Sequence, residues 1–233
     1  WDQENTYKLV KTLQPKIVID NRLDWVTLDD CIAQIVGPNA DHGTPEQRIG
    51  GYDDKTPWET CMTIGTSWAY TPNDNAKSTA DCLRTLIKCA GGDGNLLLNV
   101  GPTSMGEIDT TQAQRLNEMG KWLATYGESI HGTRGGPFKP NDLIASTRKG
   151  EVIYVHVLRP LAGPLALPSI SAKIRSATLL TGGKVTFKQT SEGITIDIPS
   201  ENVKPVDTIV KLKLNCSAMN IPAVQISVAK SVH

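Results

Sequence analysis

The sequence predicts an α/β protein in which a parallel strand-and-helix unit, the C-terminal half of a (β/α)8-like barrel, is followed by an antiparallel β-sandwich. Three observations predict it. Helix-like and strand-like segments alternate up to about residue 140, and the apolar period changes from helical to alternating after Lys139-Pro140. Only about three strand-plus-helix units precede that change, where a closed barrel needs eight and about 250 residues. The expected domains are 1–140 for the half barrel and 141–233 for the sandwich. The polypeptide therefore reads as a C-terminal fragment, or as one chain of a nicked protein, whose missing part supplies the earlier strands.

Taken in order, Thr6 to Leu13 carries Leu9, Val10 and Leu13 at helical spacing, Pro15 closes it, and the β-branched run 17–19 follows. Residues 20–57 form a polar stretch far longer than the usual connection of about 4–6 residues, a length typical of functional loops or disorder. A buried strand is expected at 61–65. Ser78 then stands as N-cap of a helix with Cys82, Leu83, Leu86, Ile87 and Ala90, ended by Gly91-Gly92. The run 95–101 has the unbroken apolar character of a parallel strand covered on both faces. Asp109 or Thr110 opens a helix in which Leu116, Met119, Trp122, Leu123 and Tyr126 form one stripe, stopped at Gly127. Beyond residue 140, strands are expected at 152–158, 173–180, 184–189, 194–198 and 208–214, each burying one face and wetting the other.

Composition narrows the function. With 233 residues, 39% hydrophobic, and 24 basic residues balanced by 24 acidic ones, the chain has the makeup of a folded globular protein. No window approaches the roughly 18–20 apolar residues of a membrane-spanning helix. Zero net charge and the absence of Lys or Arg runs give no attraction for nucleic acid or anionic lipid, so a neutral substrate is expected. The five cysteines, Cys31, Cys61, Cys82, Cys89 and Cys216, lack paired zinc spacing, and Cys82 and Cys89 would sit about 10 Å apart along one helix, too far for a disulfide. The start, WDQENTYKLV, shows no basic residues followed by an apolar stretch of the signal-peptide kind.

Chemistry then falls to the carboxylates. Glu46 sits in HGTPEQRIGG, a stretch bounded by glycine and proline that can hold a side chain over a cleft. Glu59 follows Trp58 at the mouth of the 61–65 strand, and an aromatic face beside a carboxyl group raises its pKa by desolvation, as glycosidases require of a proton donor. His42, His131, His156 and His233 form no metal-binding pair. GGDGN at 91–95 follows a helix and precedes a strand, the reverse of a phosphate-binding loop, and no GxSxG elbow occurs. Trp25, Trp58, Trp68 and Tyr70 offer faces that either stack on sugar rings or pack in the core.

The strings PWETCMTIGTSWAY at 57–70, CAGGDGNLLLNVGPTSMGEI at 89–108 and RLNEMGKWLATYGESIHGTRGGPF at 115–138 resemble the second half of the catalytic domain of glycoside hydrolase family 29 α-L-fucosidases. IDNRL at 19–23 and TPEQRIGGY at 44–52 extend the likeness, which covers roughly residues 5–140. The resemblance implies a retaining mechanism with two carboxylates and no cofactor. It implies a fucosylated glycan or glycoconjugate as substrate, with no nucleic acid or membrane partner, and a secreted, periplasmic or lysosomal setting. The family's nucleophile is an Asp in a Trp-x-Asp-Gly-like segment, which is absent here. Trp1-Asp2 does not fill the role, because it leads directly into a helix. An N-terminal segment or companion chain is expected to carry that Asp.

The resemblance also assigns site residues. The acid/base glutamate of a Thr-Ala-Glu or Thr-Pro-Glu loop matches Glu46, and that of a Trp-Glu pair in members lacking the loop matches Glu59. Glu46 is preferred, with Glu59 in a supporting role. Arg22 matches a fucose-contacting arginine, and Trp58 and Trp68 are the aromatic candidates for the sugar pocket. IDNRL departs from the family's Asn-Asp-Arg and leaves the roles of Asp20 and Asn21 open. The rival expectation is a noncatalytic carbohydrate-binding or structural fragment.

Overall fold

The computed structural model describes residues 2–24 and 35–226, so Trp25 and Cys31 lie outside the described residues. The chain divides into two compact units: residues 1–89 with 93–117, and residues 90–92 with 118–233.

In the first unit, α1 (Gln3–Leu13) starts after Asp2, whose carboxylate accepts from Asn5 Nδ2 at 2.8 Å. No residue of α1 is buried, and Leu9 and Leu13 are 58% and 68% exposed. The long stretch after it is not loose loop throughout its described part. Asp20 pairs in parallel with His42, Gly43 with Trp58, and Glu46 with Cys61, so that segments 19–20, 41–47 and 58–61 run side by side. Strand β1 (Glu59–Thr63) then pairs in parallel with β2 (Asn95–Asn99), from Glu59 opposite Asn95 to Thr63 opposite Asn99. Four neighbouring parallel segments result.

Helix α2 (Thr79–Gly91) crosses between β1 and β2 and is capped by Ser78, whose Oγ accepts from the Asp81 N–H at 3.1 Å. It buries Cys82, Leu83, Ile87 and Cys89, and Trp58, Met62 and Ile64 join them in the core. Burial pushes the Cys89 thiol up to about 12, which makes it an inert packing group. The expectation for 95–101 needs correction. β2 is exposed or half-buried along its length, with Leu97 48% exposed, because its only strand partner among the described residues is β1. At the opposite edge Ile17 and Val18 are 42% and 66% exposed. Helix α3 (Thr110–Tyr126) follows, with the Asp109 carboxylate accepting from Thr111 N–H at 2.9 Å, and the division between units falls inside it.

The second unit is built from antiparallel strands. β3 (Arg134–Gly135), β4 (Ile144–Lys149), β5 (Val152–Val157), β10 (Thr208–Leu214) and β7 (Ile174–Leu179) form one sheet in the order β3-β4-β5-β10-β7. β6 (Leu165–Pro168), β9 (Gly193–Asp197) and β8 (Thr186–Gln189) form the other. Ile144, Ile153, Val155, Val210 and Leu212 of the first sheet share one core with Leu165, Leu167, Ile194 and Ile196 of the second, which makes the unit a sandwich. β5 departs from the one-wet-face expectation. Its second face carries Tyr154 and His156, 4% and 0% exposed, and the Trp122 ring of α3 lies 6.5 Å from that of His156.

Candidate active site

The site grows from the ends of the parallel segments in the first unit. After Ile19 the chain turns into a short 3-10 helix, Asn21–Leu23, because the Asp20 carboxylate accepts from the Arg22 N–H at 3.0 Å. That turn sends Asn21 inward, fully buried, and leaves Arg22 half outside. The neighbouring segment 43–47 is held to β1 by backbone bonds: Glu59 N–H to Gly43 O and Cys61 N–H to Pro45 O, both 2.9 Å. Gln47 follows at φ 53, a left-handed conformation uncommon outside glycine, and its N–H still reaches Cys61 O at 2.9 Å.

This geometry brings Arg22 and Glu46 together. Arg22 Nη2 lies 2.7 Å from Glu46 Oε2, with the two side chains 40% and 33% exposed. Arg22 Nε donates to Thr44 Oγ1 at 3.0 Å, and Thr44 Oγ1 donates to Asn21 Oδ1 at 2.6 Å. Glu59 stands two residues before Cys61 on β1, on the same face of the strand and roughly 7 Å along it. Cys61 registers the shared field: burial raises its thiol above the ordinary 9.0, Arg22 opposes the rise, and Glu46, Glu59 and Asp20 add to it.

The aromatic candidates separate. Trp58 is 1% exposed, and a Cβ on Gly94 would stand 2.2 Å from its ring, so Trp58 is a core side chain beneath the start of β1. Trp68 and Tyr70 are 39% and 38% exposed on the segment after β1. That segment is fixed by Asn99 Nδ2, which donates to Trp68 O at 2.9 Å, and by Gly101, where a Cβ would meet the Tyr70 nitrogen at 2.6 Å. Lys77 Nζ donates to Thr63 O at 2.5 Å and closes the end of β1. Sequence reasoning misses Thr44 and Cys61 as site residues and leaves Asn21 without a role. The signal that could have found Thr44 is its spacing of two from Glu46, which puts both side chains on one side of an extended segment. Among the described residues no group of three His, Cys, Asp or Glu is placed to hold a metal ion.

The family model for α-L-fucosidase matches residues 1–128. The chain belongs to the α-L-fucosidase family. Within that family, it is 31% identical to the mouse tissue α-L-fucosidase over 172 residues, 67% of this chain and 38% of that enzyme. It is 29% identical to the Dictyostelium discoideum α-L-fucosidase over 161 residues, 65% of this chain and 33% of that enzyme. Among solved structures, α-L-fucosidase isoenzyme 1 from Paenibacillus thiaminolyticus superposes with a TM-score of 0.77 at 28% identity, over 92% of this chain and 54% of that one. A family 29 α-L-fucosidase from Bacteroides thetaiotaomicron, trapped as a covalent intermediate with 2-fluoro-fucosyl fluoride, shares the fold at TM-score 0.77 and 20% identity, with 92% and 52% covered. The chain thus spans about a third of the length of the curated relatives it matches and about half of the solved chains.

Proposed function

We propose that this chain supplies the acid/base carboxylate and part of the sugar pocket of a retaining α-L-fucosidase that removes terminal α-L-fucosyl residues from glycans. The observation that carries the reading is the Arg22–Glu46 pair, 2.7 Å apart where parallel segments end and still open to solvent. In parallel α/β barrels, ligands gather at the carboxyl ends of the strands. Glu46 protonates the departing glycosidic oxygen, and after the fucosyl–enzyme intermediate forms it takes a proton from the attacking water. Arg22 presents a rigid fork of donors to the sugar hydroxyls while holding Glu46. Glu59 orients the pocket from β1, Trp68 offers an exposed face to the sugar, and Trp58 contributes from the core beneath.

The nucleophile in this reading is an aspartate carried by an N-terminal segment or companion chain. Residues 1–140 then form the C-terminal half of a (β/α)8-like barrel and 141–233 the appended sandwich. Support comes from the edges of the parallel array, where Ile17, Val18 and Leu97 are exposed apolar residues in positions that further strands would cover.

The two glutamates are separated by substituting each in the full-length enzyme. Glu46→Ala slows a fucoside with a poor leaving group by about 10²–10⁴-fold and one with a good aryl leaving group far less. Azide restores its activity, because a small anion attacks the intermediate without a general base. Glu59→Ala loses activity mildly and equally on both substrates, without rescue. The reverse pattern would move the acid/base role to Glu59.

A further inference from the structure

We propose that Thr44 is a positioning residue that sets the plane of the Arg22 guanidinium and, through it, the carboxyl group of Glu46; this rests on Glu46 being the acid/base. Asn21 is fully buried, and its amide NH2 donates to Ile35 O at 2.8 Å, which turns its oxygen toward Thr44. That oxygen can only accept, so the single hydrogen of the Thr44 hydroxyl, 2.6 Å away, goes to it. The hydroxyl is left with lone pairs alone, and these accept the Arg22 Nε–H at 3.0 Å.

Nε lies in the plane of the guanidinium, so fixing its N–H fixes the whole fork, including the Nη2 that meets Glu46 Oε2 at 2.7 Å. Thr44 and Glu46 also leave the same side of one extended segment, whose carbonyls at Gly43 and Pro45 are bound to β1. The carboxyl group is thereby held from both its own backbone and its partner's fork. Thr44 is 7% exposed and acts through Arg22, without touching the sugar. A misplacement of about 1 Å at the reacting centre costs roughly 10²-fold in rate.

The test uses the full-length enzyme with two fucosides, one with a poor and one with a good leaving group. Thr44→Val keeps the shape and removes the hydroxyl, and the expected result is a loss of kcat/KM about 10- to 100-fold larger on the poor leaving group than on the good one. Thr44→Ser restores the hydroxyl and both rates. Should Thr44→Val fail to fold, Thr44→Ala serves instead: it also lacks the hydroxyl, leaves Arg22 and Glu46 in place, and shows the same leaving-group dependence. A folded Thr44→Val enzyme that loses activity equally on both substrates, or only loses thermal stability, overturns the inference. Glu46→Ala runs in parallel: if it lacks leaving-group dependence and azide rescue, the acid/base reading falls and takes the purpose of Thr44 with it. If Glu46→Ala behaves as expected and Thr44→Val does not, the Thr44 inference falls alone.

Discussion

In the first unit a run of hydrogen bonds starts at the fully buried Asn21, passes through Thr44 and Arg22, and ends at a Glu46 side chain that is one-third exposed. In the second unit His156 Nδ1 and Asp207 Oδ2 meet at 2.7 Å with neither side chain reached by solvent. Arg148, 6% exposed, likewise spends its Nη1 on the carbonyls of Ala218 and Ile221. Under the proposed function, the contrast separates a polar group that serves chemistry from one that serves the fold. Both kinds are anchored by buried partners, but only the first leads to an atom open to solvent.

The largest effect expected from breaking this comparison lies in the sealed pair. Removing one partner of a buried hydrogen-bonded pair leaves the other without compensation, at about 3–5 kcal/mol. His156→Ala, which leaves the Asp207 carboxylate buried without its partner, should lower the stability of the full-length enzyme by that amount in chemical denaturation, with kcat/KM per folded molecule unchanged. A loss below about 1 kcal/mol would mean that the pair is no better than a surface contact.

Arg22→Ala should reverse the balance. At 40% exposure the ion pair with Glu46 contributes at most about 1 kcal/mol to stability. A donor aimed at a site of developing charge, however, is worth about 10²–10³ in kcat. Unchanged kcat/KM in folded Arg22→Ala would remove this arginine from the sugar pocket.

The elements with strong local signals were legible in the sequence. Ser78 caps α2, Asp109 opens α3, and the alternation of 152–158 and 208–214 becomes β5 and β10 at the centre of a sheet. β4 is harder to see, because Ala145, Ser146, Thr147 and Arg148 present no apolar period, yet both its faces are covered. In the site, the residue types and the order of Arg22, Glu46 and Glu59 were readable. The pairing of segment 43–47 with β1 was not, since it rests on backbone bonds across a glycine- and proline-rich stretch that has no strand pattern of its own. Thr44 was missed and Asn21 left without a role for that reason: their roles exist only once that pairing brings them together.

Trp58 offers a smaller test of the same boundary between core and site. An alanine at position 94 would bring its Cβ to 2.2 Å from the Trp58 ring, so Gly94→Ala must displace the indole or the turn. Overpacking of this kind costs about 1–3 kcal/mol. The expected result is that loss in denaturation with a quenching or shift of tryptophan fluorescence. Wild-type stability would show that the indole is free to move and would reopen a direct role for Trp58 at the sugar.

The smallest effect concerns the ion pair of Lys11 and Asp41, 2.6 Å apart and each about a quarter exposed, at the edge of the parallel array. The Lys11 ammonium, with the Ile19 N–H and the Tyr7 hydroxyl, holds Asp41 below the ordinary 3.8, while Asp41 raises Lys11 above 10.5. A carboxyl group depressed in the folded state stabilises above its ordinary value, and that contribution disappears as pH falls through the folded value. The raised lysine stabilises below its ordinary value, and its share disappears as pH rises through the folded one. The stability difference between wild type and Lys11→Met should therefore be flat between 3.8 and 10.5 and close at both ends. Carbon-13 NMR titration of the Asp41 carboxyl should show it rising toward 3.8 in Lys11→Met yet staying below, because Ile19 still donates at 2.8 Å and Tyr7 at 3.2 Å. An Asp41 that titrates alike in both proteins would assign its depression to those two donors, and the pair would then belong with the sealed, backbone-held groups of the second unit and not with the open pair at Glu46.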